Sequence, residues 1–344
     1  MSVTASLSAS HHVELTPDFD LSPHNTLGLE ARARFGTTIT NANEAAPLLE
    51  EARRLDLPLR VLGGGSNVVL RPFYDGVVAR MSIKGRAVVS QTASETVVEF
   101  GAGEDWHEAV CWTVAQGLPG LENLAGIPGT MGAAPVQNIG AYGCELVDRF
   151  VSLVAFDTSE QAMVTFDRAA CDFSYRQSVF KSTPGRFIVV SVKLSLPREW
   201  RPNLAYPGLN QLPEDVDAAT ILETVVAVRQ SKLPDWRRTG NAGSFFHNPI
   251  VPAEVANQLT ANHINMPRYP QADGRAKLSA AWLIEQSGFK GYRLGGAGVS
   301  ERHALVVVNN GGATQAEIAE LAERITSAVR DRFGVSLVQE PELI

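Results

Sequence analysis

The chain has 344 residues, 44% of them hydrophobic, and a formal net charge of -7 with its lysines and arginines scattered along its length. That length accommodates two or three domains with real cores, and the scattered positive charge argues against a nucleic-acid or anionic-membrane surface. The odd count of three cysteines, Cys111, Cys144 and Cys171, without paired ligand spacing, fits a reducing compartment and packing roles, and no metal site is expected.

Residues 1–16, rich in Ser and Thr with His11 and His12, lack the basic-then-apolar order of a secretion signal, and are expected to be disordered. No apolar run approaches bilayer length, so a cytoplasmic protein without membrane partners is expected. Asn25-Thr-Leu-Gly28 leads into a strand at Ala31–Phe35. Apolar residues at helical spacing predict a helix over Asn43–Leu55, with Asn43 as its cap. Leu59–Leu62, Val68–Leu70 and Gly76–Ile83 read as strands of a first α/β domain closing near Lys84.

Between the first two of these lies Gly63-Gly-Gly-Ser-Asn67, read as a tight turn from strand to strand. Its spacing fails the dinucleotide fingerprint at the third glycine, and no Gly-Lys-Ser/Thr follows, so neither a Rossmann nor a Walker site is present. Strands are predicted at Val88–Ser90 and Thr96–Gly101, then a helix over Trp106–Gln116 stopped by Gly117.

A second glycine-rich stretch follows, Gly126-Ile-Pro-Gly-Thr-Met-Gly-Ala-Ala-Pro-Val-Gln-Asn-Ile-Gly-Ala-Tyr-Gly143. Its glycines permit positive φ and close approach, while Pro128 and Pro135 stiffen the path. Such a backbone can aim several N–H groups at one anion, as a diphosphate requires, or it can be a long structural loop.

Further on, Leu146–Phe156, Ala162–Phe166 and Phe187–Leu196 read as strands, and Ala218–Gln230 as a helix that breaks at Lys232-Leu-Pro-Asp235, a domain boundary. Beyond it come the turn-rich Gly240–Pro249, helices at Ala253–Asn262, Ser279–Ser287 and Gln315–Phe333, and strands at Ala304–Val308 and Val335–Val338.

Taken singly, the polar candidates have ordinary explanations. Arg176 could be a surface ion-pair residue, Ser244 a turn serine, Lys232 a solvated lysine and Glu342 a tail residue. Ser244 lacks the Gly-x-Ser-x-Gly frame of a hydrolase elbow. The histidines His107, His247, His263 and His303 are isolated from ligand-spaced acids.

In combination, Asn25-Thr-Leu-Gly28, Gly63–Asn67, Gly126–Gly143, Tyr175-Arg-Gln-Ser-Val-Phe-Lys181, Gly240-Asn-Ala-Gly-Ser-Phe-Phe246 with Asn248-Pro249, Trp282-Leu-Ile-Glu-Gln286 and Glu340-Pro-Glu342 closely resemble the UDP-N-acetylenolpyruvoylglucosamine reductases, the MurB flavoenzymes of peptidoglycan precursor synthesis. The resemblance implies an α+β fold: two FAD-binding α+β subdomains of the vanillyl-alcohol-oxidase type, residues 17–84 and 85–232, the latter joined by 336–344, plus a C-terminal α+β substrate-binding domain over 233–335. It assigns FAD to Gly63, Gly64, Gly65, Ser66 and Asn67 of the first glycine stretch. In the second it assigns FAD to Gly126, Ile127, Pro128, Gly129, Gly132, Ala133, Gln137, Asn138, Gly140, Ala141 and Tyr142.

The same resemblance implies reduction of UDP-N-acetylglucosamine enolpyruvate with NADPH as donor, Ser244 giving the proton and Arg176 and Glu342 stabilising the intermediate. Tyr175, Tyr206, Lys232, Asn248 and Gln286 would bind substrate. Tyr206 matches the tyrosine loop of the family's longer subtype, although Pro207 replaces the usual glycine after it, and His247 stands where a lysine is often seen. A monomer acting on small molecules is expected. A flavoprotein oxidase on the same scaffold and a nucleotide-sugar binding module without redox activity are the competing readings.

Overall fold

The computed structural model describes residues 13–344. Most of the expected disordered segment, residues 1–12, lies outside the described residues; Thr16, its last residue, instead opens a strand, Thr16–Asp20. Contacts divide the chain into two units, one of residues 13–19, 33–64 and 75–225, the other of 20–32, 65–74 and 226–344.

The first unit carries two sheets. One has the order Thr16–Asp20, Arg32–Ile39, Phe73–Met81, Leu59–Leu62, the last pair parallel with Leu59 opposite Val77. Over it runs the helix Ala45–Arg54, which buries Ala45, Leu48, Leu49 and Ala52 at helical spacing. Asn43 is not its cap. Asn41 accepts from Asn43 N–H and completes a capping box with Glu44, because a 3-10 turn over Ala42–Glu44 precedes the helix and moves its entry two residues upstream.

The other sheet is antiparallel throughout, in the order Ala162–Asp167, Phe150–Asp157, Phe187–Pro197, Glu95–Gly101, Arg86–Gln91. From Val190 onward its middle strand alternates, with Val190, Val192, Leu194 and Leu196 inside, after a run of three buried residues at Ile188–Val190. The helix Trp106–Ala115 begins at Asp105, whose carboxylate accepts from Glu108 N–H, and sets Trp112 edge-on to Phe100 at 5.7 Å. The strand expected from Leu146 starts only at Phe150, since Leu146–Asp148 closes into a 3-10 turn boxed by Glu145 and Asp148.

In the second unit a sheet of order Gly240–Asn241, Val307–Asn309, Ala297–Val299, Arg293–Leu294 and a three-stranded sheet surround one core. The helix Gln315–Phe333, boxed by Thr314 and Glu317 and ended by Gly334 at φ 67°, turns Ile318, Leu321, Ile325, Val329 and Phe333 onto that core. Each such buried aliphatic contributes about 1.5–3 kcal/mol.

The C-terminal tail was expected to join residues 85–232 and to form a strand at Val335–Val338. Instead Glu342–Leu343 pairs in parallel with Val68–Val69, so the first glycine stretch leads into this pair rather than into a strand of the sheet it leaves. Val335–Val338 buries Val335 and Leu337 but is not a strand; its ladder bonds begin at Val338, which accepts from His247 N–H at 2.9 Å.

Asn309 is the polar hub of this unit. Its Nδ2 donates to Leu27 O and Gly28 O at 3.0 and 3.1 Å, and its Oδ1 accepts from Gly311 and Ala313 N–H at 2.9 and 3.1 Å. Asn309→Ala strands buried main-chain groups and is expected to destabilise the protein by about 3 kcal/mol, read as a lower denaturant midpoint at unchanged slope.

Candidate functional site

Backbone packing brings the two glycine stretches together in the first unit. A Cβ on Gly64 would lie 2.8 Å from Gly129 Cα, and one on Gly63 would lie 2.5 Å from Thr130 Oγ1. At Gly64 no other residue type fits without a shift of main chain, whereas at Gly63 it is the Thr130 side chain that would have to move.

The second stretch is also tied to the segment before the Trp106–Ala115 helix. Trp106 N–H donates to Gly129 O, Met131 N–H to Glu104 O and Gly132 N–H to Ala102 O, at 2.8–3.0 Å. Burial pushes the Glu104 carboxyl up, but Gly85 N–H and Arg86 outweigh it and hold the group below the usual carboxylate range, so this anchor is ionised. The bonds that hold the loop use the N–H groups of Gly126, Met131 and Gly132, not those of Gly63, Gly64 or Gly129.

Thr130 Oγ1 is buried without a hydrogen-bond partner. A buried hydroxyl with nothing to bond, beside glycines that admit no side chain, fits a phosphate-bearing group laid against bare backbone.

Three of the seven non-glycine residues with positive φ among those described are expected site residues: Asn138 at 42°, Tyr142 at 50° and Arg176 at 57°. Asn tolerates this region; tyrosine and arginine do so at a cost, so backbone strain collects here. Asn138 is fully buried and its amide spans Glu145, Ser174 and Val147, which makes its side chain a brace for the stretch.

Arg176 sits in a tight turn closed by two bonds between Ser174 and Gln177. Its Nη2 donates to Gly140 O at 2.7 Å, and its guanidinium lies 5.3 Å from the Tyr175 ring centroid. Arg176 and Tyr175 are thus brought to the second glycine stretch. Tyr206 also reaches it, its ring meeting that of Tyr142 edge-on at 4.7 Å. Asn123 and Asn203, which sequence reading missed, fasten this contact: Asn123 donates to Tyr142 O and Asn203 O, and Asn203 to Gly143 O.

In the second unit Gly65 O accepts from Thr26 N–H, so Asn25-Thr-Leu-Gly28 braces the end of the first glycine stretch. Asn67 clamps the tail, its Nδ2 donating to Glu340 O and its carbonyl accepting from Glu342 N–H. Glu340 N–H in turn bonds Phe245 O at 2.9 Å. Ser244 and Glu342 therefore flank one backbone pairing, and both side chains are exposed.

Ser244 lies between Gly243, held at φ 68° by an Asn241 turn, and the fully buried Phe245. Asn248 Oδ1 accepts from Ala280 N–H at 2.9 Å at the start of the helix Ala280–Gln286. Gln286 is the last residue of that helix. Lys232 ends the helix Ala218–Lys232 and is a neighbour of His303. Burial, then the charges of Lys232 and Lys290 with Glu285 opposing them, hold the His303 imidazole below its ordinary pKa.

Residues 235–344 match the family model of the UDP-N-acetylenolpyruvoylglucosamine reductase C-terminal domain, and residues 37–162 that of an FAD binding domain. Over 337 residues the chain is 47% identical to the UDP-N-acetylenolpyruvoylglucosamine reductase of Burkholderia cenocepacia (strain HI2424), covering 96% of this chain and 97% of that protein. It is 48% identical to the protein of that name from Burkholderia vietnamiensis (strain G4 / LMG 22486), with the same coverage. The crystal structure of UDP-N-acetylenolpyruvylglucosamine reductase (MurB) from Thermus caldophilus superposes with a TM-score of 0.68 at 24% identity, covering 96% of this chain and 98% of that one, a likeness of fold.

Proposed function

The chain belongs to the UDP-N-acetylenolpyruvoylglucosamine reductase family, and from that premise we propose that it reduces UDP-N-acetylglucosamine enolpyruvate to UDP-N-acetylmuramate with NADPH as hydride donor. The two glycine stretches hold FAD, with Gly63, Gly64 and Gly129 letting the diphosphate approach backbone and Thr130 Oγ1 gaining the partner it lacks. When bound, FAD supplies the chemistry of hydride transfer, taken from NADPH and delivered to the enolpyruvyl methylene carbon.

Hydride addition at that carbon drives electron density into the substrate carboxylate. The planar fork of Arg176 meets the resulting charge bidentately, and Glu342 stabilises it through a second hydrogen bond. Ser244 gives the proton to the carbon bearing the ether oxygen; a serine suffices because that carbon is strongly basic and the transfer is positioned. Tyr175, Tyr206, Lys232, Asn248 and Gln286 bind the UDP-sugar. NADPH and the UDP-sugar use one cleft in turn, giving ping-pong kinetics. The protein works as a cytoplasmic monomer.

The observation that carries this reading is the strained turn of Arg176, an arginine held at φ 57° with its guanidinium on the second glycine stretch. The test is purification with flavin absorbance, followed by NADPH oxidation with and without the enolpyruvyl substrate. Turnover that requires the substrate supports the proposal; a flavin that reacts with oxygen and an alcohol donor but ignores the enol ether sinks it.

A further inference from the structure

One end of the five-stranded antiparallel sheet in the first unit carries three arginines. Arg149 precedes the strand Phe150–Asp157, Arg168 follows Ala162–Asp167, and Arg201 comes shortly after Phe187–Pro197. The registers, Ser152 opposite Asp167 and Phe150 opposite Leu194, bring all three to the same end. There they line a cavity of about 390 Å³, together with Glu122, Cys144 and Trp200. These residues all belong to the first unit, and no expected FAD or substrate contact lines the cavity.

The formal charges of the lining balance, because Glu122, Glu145 and Asp148 face the three arginines. Their hydrogen bonds do not balance. Glu122 accepts from Gly120 N–H at 2.6 Å and from Trp200 Nε1 at 2.8 Å, Glu145 from Asn138 Nδ2 and Asp148 N–H, and Asp148 from Glu145 N–H. Arg149 commits only its Nε, to Gly120 O at 3.2 Å, and among the described residues Arg168 and Arg201 make no hydrogen bond or ion pair. A cavity whose acceptors are occupied and whose guanidinium donors are open selects an anion, and planar forks suit phosphate oxygens.

We propose that this cavity binds a small phosphate-bearing anion, and that its occupant fastens residues 200–206 to the second glycine stretch. Arg201 stands on that segment, whereas Arg149 and Arg168 stand on the sheet, so an anion held by all three ties one to the other. The tie adds to those already present: Asn203 donates to Gly143 O, and Asn123 to Tyr142 O and Asn203 O. Tyr206, docked on Tyr142, ends the fastened segment.

Cys144 supplies a reporter at the site. Burial raises its thiol pKa, against the Asn203 bond that lowers it, so alkylation with iodoacetamide is run at about pH 9 and followed by peptide mass spectrometry. Inorganic pyrophosphate added to the holoprotein should slow modification of Cys144 and leave Cys111, which does not line the cavity, unchanged. The exposed, unbonded Arg168 and Arg201 can be replaced without disturbing the fold. Arg168→Gln with Arg201→Gln should raise the pyrophosphate concentration for half-protection by at least about tenfold, the scale of a lost hydrogen bond to a charged group. Hydrogen exchange of residues 200–206 should slow with pyrophosphate in the wild type and not in the double variant. A parallel arm with uridine diphosphate separates the sources: protection at lower concentration than pyrophosphate assigns a nucleotide, and the reverse assigns the inorganic ion.

Protection of Cys144 by sodium chloride at equal ionic strength, or a double variant protected like the wild type, overturns the site. Protection with unchanged exchange over 200–206 overturns the fastening. If the double variant does not fold, the two single variants decide by the same shift. Neither readout uses turnover, so failure here leaves the reductase reading intact.

Discussion

Ser244→Ala is expected to leave reduction of bound flavin by NADPH intact while slowing transfer to the enol ether by about 10²–10⁴-fold, the range for loss of a positioned general acid. The two half-reactions separate because only the second needs a proton delivered to carbon. The substitution is also structurally quiet. Ser244 is exposed, its Oγ makes no hydrogen bond among the described residues, and its position is set by neighbours: Asn241 turns the chain at Gly243, and Phe245 is buried with N–H to Leu305 O and C=O to Glu340 N–H. Thermal stability should therefore move by no more than about 0.5 kcal/mol, as at an exposed site without special contacts. Rapid-mixing spectroscopy of flavin reduction and reoxidation reads both steps. Equal loss of the two would make the serine structural, and undiminished reoxidation would assign the proton to another group.

Much of the fold is legible where the signal is local. The helices Gln315–Phe333 and Trp106–Ala115 match their apolar spacing and carry visible caps, Thr314 with Glu317 and Asp105 respectively. Phe187–Pro197 shows the alternation of a strand with one buried face. By contrast Thr16–Asp20 has four exposed residues out of five and thus no periodic signature. The tail pairs across more than 270 positions, with Asn67 bonding Glu340, a partnership no window of sequence contains.

The candidate site divides in the same way. Its glycines announce themselves by composition, and the close approach of Gly64 to Gly129 gives that composition a reason. The amides that position it do not. Asn123 and Asn203 are ordinary polar residues until folding sets them against the carbonyls of Tyr142 and Gly143. His107 likewise looks like any residue on an amphipathic helix until Gly126 arrives at its ring nitrogen. The strain at Arg176 is also silent, because nothing in Tyr-Arg-Gln-Ser specifies a positive φ; surrounding bonds impose it.

That strain makes Arg176 the second decisive position. Arg176→Lys retains the charge and loses the fork, so turnover with the enolpyruvyl substrate is expected to fall by about 10²–10³-fold, as for loss of one preorganised donor to a developing anion. Flavin content should be unchanged, since the glycine stretch keeps its bonds to Ala102, Glu104 and His107. Arg176→Gly separates function from folding. It deletes the guanidinium bond to Gly140 O, but it also relieves a left-handed residue that costs about 1–2 kcal/mol. Those effects oppose one another, so the glycine variant should unfold within about 1 kcal/mol of the wild type while losing turnover at least as completely as the lysine variant. A protein that tolerates the loss of its arginine in stability but not in turnover holds the strained turn for the chemistry. If Arg176→Lys turns over normally, or if Arg176→Gly is severely destabilised, the residue is a brace for Gly140 and the proposed stabilisation of the substrate carboxylate has to come from elsewhere.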